Sequence, residues 1–210
     1  MSVENKVNIS GKILSGFVLD HEVYNDKFYK TYVSVTRYSG VVDVLPVIVS
    51  GKLVDVSRSW LGARVSIFGS IRTRNEKVSE NHTKLNVYVF AEDICVTDDF
   101  GGEDINDIEL VGYLTKQPIC RETPKSRKIA DFTLAVNTKY GHSYYIPCLG
   151  WGRDSVLMSR VSVGSMLLVK GRFQSRGYKK VLSDGSFEER VAYEVSAKNI
   201  TIIEWGATDE

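Results

Sequence analysis

The sequence predicts an all-β chain made of two consecutive copies of one small barrel. Short runs of alternating apolar and polar residues fill both halves, each interrupted by one brief stretch at helical spacing. A shift of 101 positions lays Gly11 on Gly112, Val35 on Val136, Pro46 on Pro147 and Gly51 on Gly152. After a one-residue insertion Gly62 meets Gly164, Gly69 meets Gly171 and Arg74 meets Arg176, and later Ala91-Glu92-Asp93-Ile94 meets Ala197-Lys198-Asn199-Ile200. Ordered matches with drift only at loop-like places are the signature of an internal repeat.

The elements follow in order. In the second half, residues 108–120 and 129–138 alternate with period two, Phe132, Leu134 and Val136 on one face and Asp131, Thr133, Ala135 and Asn137 on the other. A third strand, 143–151, precedes a helix predicted over 152–164, where Val156, Leu157, Arg160 and Val161 fall at helical spacing. A fourth strand, 166–180, turns through Ser183-Asp184-Gly185 into a fifth, 187–203. The first half gives 7–19, 29–38, 42–50, a helix near 52–60, then 64–74 and 84–96. Five strands with a helix between the third and fourth is the plan of an OB-fold barrel, a fold that commonly holds oligonucleotides. The expected organisation is a domain over 1–96, an acidic linker over 97–107 (TDDFGGEDIND) and a second domain over 108–210.

Composition narrows the function classes. With 43% hydrophobic and 25% charged residues, the 210-residue chain is globular, and no window is apolar enough for a membrane-spanning helix. Cys95, Cys120 and Cys148 are odd in number with no CxxC spacing, which indicates neither a disulfide framework nor a zinc site. With no secretion signal at the N-terminus, a reducing, cytoplasmic setting is expected. His21, His82 and His142 form no catalytic motif and no phosphate-cradling loop occurs, so neither an enzyme nor a cofactor is expected. Residues 1–105 hold 12 Lys+Arg against 14 Asp+Glu, and residues 106–210 hold 15 against 12. The second half is the better candidate for an anionic partner.

The fourth strand of that half carries the main chemical clue. Alternation turns Leu167, Val169, Gly171 and Phe173 inward and Lys170, Arg172, Gln174, Arg176 and Tyr178 outward, with Lys179 and Lys180 at its end. Tyr145 and Trp151 share a face of strand three, and Tyr140 sits in the turn before it. Cations neutralise phosphates and aromatic rings stack unpaired bases, so this set suits a single-stranded nucleic acid. A cationic strand face taken alone is most often only solvated, and a lone Trp most often belongs to a core; the convergence is what favours nucleic acid. Single-stranded RNA, or a primosome-like protein-assembly module, are the alternatives.

At these residues the second half resembles the bacterial single-stranded DNA-binding protein family. LVGYLTKQPICRETPKSRKIADFTLAVN is similar to the family's opening strand pair, and YIPCLGWGRDSVLMSRVSVGSMLLVKGRFQSRGY to its strand three, helix and strand four. The resemblance implies that Tyr140, Tyr145, Trp151 and Tyr178 are the aromatic DNA platforms. It further implies roles in replication, recombination and repair, and a homodimer that gathers four OB domains. Replication or repair enzymes would be further partners, although the chain ends EWGATDE without the family's longer acidic tail. Carried onto the first half by the repeat, the four platforms fall on Ser39, Val44, Ser50 and Glu76, none aromatic. The first half keeps Arg72 and Arg74 on strand four and Tyr32 and Tyr38 on strand two, so the second half is expected to bind more strongly.

Overall fold

The computed structural model describes residues 4–80, 82–97, 103–123, 125–182 and 185–204. The middle of the acidic joint (98–102), Ser183-Asp184 of the predicted turn and the terminal WGATDE therefore lie outside the described residues.

In the first half the strands are β1 (Asn5–Ile13), β2 (Val18–Val23), β3 (Asp26–Thr36), β4 (Val42–Ser50), β5 (Arg64–Ser79) and β6 (His82–Val96). In the second they are β7 (Asn106–Leu114), β8 (Ile119–Glu122), β9 (Lys128–Asn137), β10 (Ser143–Trp151), helix α1 (Arg153–Met158), β11 (Met166–Val181) and β12 (Phe187–Glu204). In each half β1-β3-β4-β6-β5, and likewise β7-β9-β10-β12-β11, close into a ring through the β1–β3 and β7–β9 pairings. The one parallel contact in each ring is β4–β6 and β10–β12. Alternation sets the interior: Val33, Val35, Leu45, Val47 and Val49 in one ring and Phe132, Leu134, Val136, Ile146 and Phe173 in the other are buried.

Three details differ from the sequence expectation. The predicted first strand of each half is two strands, β1 and β2 or β7 and β8, so each half has six. The breaks fall at Ser15-Gly16 and Gln117-Pro118, residues that end strand pairing. At the first break, Ser15 leaves the ladder and its hydroxyl takes the Tyr32 N–H at 3.2 Å. The helix expected near 52–60 is a series of turns, because Asp55 Oδ1 accepts both the Ser57 N–H (3.0 Å) and the Ser57 hydroxyl (2.6 Å). Such local side-chain bonds offer the backbone an alternative to the helix. The helix expected over 152–164 is only α1, six residues long, and the serines and β-branched residues that follow favour turns. Val161 still packs into the core from those turns.

The two rings are not beads on a string. β1 and β7 pair antiparallel with Val7 opposite Ile108, Asn5 opposite Leu110 and Ile9 opposite Asn106. Val7 and Ile108 are repeat equivalents, so the pairing lies on a pseudo-twofold axis and all twelve strands form one continuous sheet. Symmetry recurs beside it. The Asn5 side chain exchanges two 2.8 Å hydrogen bonds with the Ile71 main chain, and Asn106 does the same with Phe173 at 2.8 and 2.9 Å. Each Asn extends a ladder by one rung where the main chains part. The joint is partly held as well: the Asp104 carboxylate accepts the Thr36 N–H at 2.7 Å and pairs with Arg64 at 2.8 Å.

A second pair of contacts fixes the angle between rings. The Tyr145 N–H donates to Thr73 Oγ1 at 3.2 Å, and its repeat equivalent, the Val44 N–H, donates to Ser175 Oγ at 3.0 Å. Next to it lies Asp43, fully buried, whose carboxylate accepts two 2.6 Å bonds from Arg37 and one of 2.8 Å from the Ser175 N–H. Removing one partner of a buried charge pair leaves the other uncompensated. Asp43→Ala should therefore destabilise the chain by about 3–5 kcal/mol in chemical denaturation; a loss well under about 1 kcal/mol, the value of an exposed pair, would contradict this role.

Candidate nucleic-acid interface

The four aromatic residues singled out in the second half are all available to a ligand. Tyr140, in the β9–β10 turn, is 77% exposed with the Lys139 ammonium 5.1 Å from its ring centroid. Tyr145 is 54%, Tyr178 39% and Trp151 37% exposed. Trp151 is braced from below, its indole N–H donating to Ser196 Oγ at 3.1 Å. Tyr145, Pro147 and Trp151 stand on the outward side of β10, and Pro147 lines one cleft with Tyr178.

The polar members of that set are placed differently from the expectation. Lys170 sits where β11 still pairs with β7, and its ammonium is 2.8 Å from Glu109. The Lys170 bond holds the Glu109 carboxyl below its usual range. Arg176 makes a two-pronged pair with Glu194 at 3.0 and 3.2 Å. Gln174 points outward by alternation yet is only 4% exposed, because its amide is tied to Glu194 at 2.9 Å and accepts Arg172 Nη2 at 3.3 Å. Gln174 is thus removed from any direct contact. Burial, and then the nearby Arg37, lower the pKa of Arg172, which lines a different cleft together with Tyr38. Lys179 and Lys180 lie opposite Glu189 and Glu188 in the β11–β12 hairpin.

The first half is better equipped than the repeat-transferred positions suggested. Ser39, Val44, Ser50 and Glu76 carry no ring, but β3 and β6 do. Phe28, Lys30 and Tyr32 share one side of β3 and Tyr88 and Phe90 one side of β6. Both flank the outward row of β4, where Ile48 pairs with Lys30 and with Phe90. Arg72 and Arg74 join this face from β5, opposite Tyr88 and Asn86. Arg74 is held by Asp20 at 3.1 Å. Desolvation alone would raise the Asp20 pKa, but hydrogen bonds from His21 and Arg74 outweigh it and hold the carboxyl low. The period-two spacing of Phe28-Lys30-Tyr32 and of Tyr88-Phe90 is the signal that could have found this face. A search restricted to the transferred positions passes over it, because the ring has changed strands. Phe90 is the repeat equivalent of Ser196, while Trp151 is the equivalent of Ser50.

Between the two faces lies a cleft of about 970 Å³. Tyr32, Arg74 and Tyr88 line it from the first ring, and Pro147, Tyr178 and Tyr193 from the second. Burial raises the Tyr193 and Tyr88 hydroxyl pKa values, so both stay neutral donors at ordinary pH. Tyr38, 89% exposed at the tip of the β3–β4 turn, belongs to the other cleft of about 990 Å³, beside Glu103 and Asp104. The structure thus gathers Tyr32, Arg74 and Tyr178, with Tyr145 and Trp151 on the adjoining strand. It separates them from Lys170, Arg172 and Tyr38.

Two rings of this topology joined in one chain, with aromatic and cationic residues on facing walls, define the class: a tandem OB-fold protein. Over 99% of its length the chain superposes with a TM-score of 0.76 on 96% of the wild-type single-stranded DNA binding protein from Thermus aquaticus, at 20% identity. Residues 105–203 match the profile of the single-strand binding protein family. Through its second half the chain is similar to that family. It is 33% identical over 107 residues to single-stranded DNA-binding protein A of Bacillus subtilis, which covers 48% of this chain and 60% of that protein. It is 36% identical over 108 residues to single-stranded DNA-binding protein 2 of Listeria innocua, covering 48% and 65%. The chain therefore spans less than two thirds of the length of these curated relatives.

Glu194 is the group that silences the second wall. Glu194→Gln keeps its shape and removes its charge, which frees the Arg176 guanidinium for a phosphate. Affinity for an oligonucleotide should rise, and the log–log salt slope should steepen by about 0.7, the increment for one phosphate contact on a single strand. An unchanged slope in anisotropy titrations across salt would show that Arg176 does not meet the backbone.

Proposed function

We propose that this chain binds single-stranded DNA with little sequence preference and protects it during replication, recombination or repair, acting as a binding protein and not as an enzyme. The observation that carries the reading is the cleft between the rings, whose walls bring half-buried Tyr32 and Tyr88 with Arg74 on one side and exposed Tyr178 with Arg190 on the other. Rings accept any base because every base has a π-face, and cations accept any phosphate. The match of residues 105–203 to that family's profile supports DNA as the ligand over RNA, since stacking alone is blind to the 2′-hydroxyl. Tyr140, Tyr145, Trp151, Tyr178, Tyr32 and Arg74 are the contact residues in this reading, and the setting is the cytoplasm. The working unit is a homodimer, which brings four OB rings together.

Competition by single-stranded DNA, single-stranded RNA and duplex DNA across salt tests the reading. Single-stranded DNA should compete best, with a log–log slope of about −0.7 per phosphate neutralised. Flat salt dependence, or equal competition by duplex, would contradict it; RNA competing best would favour the alternative ligand. Trp151→Ala combined with Tyr178→Ala should cost roughly 2–6 kcal/mol if the two stacking terms add. Light scattering should give twice the chain mass at micromolar concentration, and a single-chain mass would remove the dimer.

A further inference from the structure

In the first ring, two planar polar groups lie over phenylalanine rings. The Arg72 guanidinium carbon lies 3.4 Å from the Phe90 ring centroid. The His21 imidazole stacks on Phe28 at 4.8 Å between centroids, with an angle of 9° between planes. The two phenylalanines are neighbours, 5.7 Å apart. Arg72 makes no salt bridge among the described residues, whereas Lys170, Arg176 and Arg74 are each matched to a carboxylate. Its Nε reaches the Ser70 hydroxyl at 3.5 Å, and its guanidinium carbon lies 5.9 Å from the ring centroid of Tyr144 in the second half. Among the described residues no carboxylate pairs directly with it, and the Phe90 ring backs its plane.

We infer that the first ring has a base-stacking site of its own, in which the outer faces of the Arg72 guanidinium and the His21 imidazole are the surfaces that unpaired bases meet. Phe90 and Phe28 are positioning residues that hold those planes flat. The inference rests on the proposed binding of single-stranded DNA and extends it to residues off the positions carried over by the repeat. A guanidinium is planar, weakly hydrated and well suited to stacking between an aromatic ring on one side and a base on the other. A cation in that place also sits close to the phosphates of the base it supports. Arg72 stands opposite Tyr88 across the β5–β6 ladder, and Tyr88 lines the cleft, so the site adjoins it. Division of binding between the halves is then more even than charge alone suggests.

The discriminating change is Arg72→Lys in the full chain, because it keeps the charge and loses the plane. The dissociation constant for an oligothymidylate should rise about fivefold or more, the equivalent of one lost stacking contact, with the salt slope unchanged. Phe90→Leu should weaken binding in the same direction while thermal unfolding shows a folded chain. Arg72→Lys binding as well as wild type, with Arg72→Gln weaker and its salt slope reduced by about 0.7, would mark a plain phosphate contact and overturn the inference. Photocrosslinking the wild-type chain to an oligonucleotide carrying 5-iododeoxyuridine needs no substitution. Adducts at His21, Phe28, Arg72 or Phe90 support the site, and adducts confined to Tyr32, Tyr88, 140–151 and Tyr178 overturn it while leaving the proposed function intact. Failure of the wild-type chain to bind any single strand would instead remove the proposed function itself.

Discussion

Everything in this molecule hangs on the antiparallel pairing of β1 with β7. The pair is self-complementary: Val7 faces its own repeat equivalent, Ile108, and both are buried. Two rings joined at such a rung must be related by a near-twofold rotation. That rotation brings β4 against β11 and β10 against β5, and it turns the outward faces of both rings toward one cleft. Tight glycines keep the rings shut around this seam. A methyl group on Gly69 or Gly171 would strike the Phe90 or Ser196 carbonyl, so only glycine lets β5 and β11 bend across their partners there. The cleft is thus a consequence of the seam and not an independent feature.

Electrostatics within this frame runs against the overall charge of the halves. The second half carries the positive balance, but Glu109 and Glu194 neutralise Lys170 and Arg176, and Asp131 holds Arg121 at 2.7 Å. The first half is net acidic, yet Lys30 and Arg72 stand on its ring-bearing face beside Arg74, which Asp20 holds. Net charge counts groups; what a phosphate meets is set by which of them are already paired and how deeply they are buried.

The strands were legible because alternation follows directly from one-sided burial, as Phe132, Leu134 and Val136 show. The repeat located both rings for the same reason: close approaches demand glycine at the same places twice. Less legible were features decided by competition between local and distant bonds. The Asp55–Ser57 turn defeats a helix that spacing favours, and Gln174 alternates outward but is drawn under its neighbours by Glu194. The first ring's platform escaped a position-by-position transfer because Phe90 and Trp151 reach corresponding places in their own rings from different strands. A ring needs a place on the face, not a place in the alignment.

The central claim is that both walls of the cleft grip one nucleic acid strand. Hydroxyl-radical footprinting of the intact chain, with and without an oligothymidylate, reads it at the side chains themselves. The account predicts that Tyr32 and Tyr88 on one wall, Tyr178 on the other, and Tyr145 and Trp151 on the adjoining strand all become protected when the strand binds. Protection confined to one ring would contradict it, as would protection that shifts to Phe68 and Tyr113, which are exposed on the outer side of the central strands.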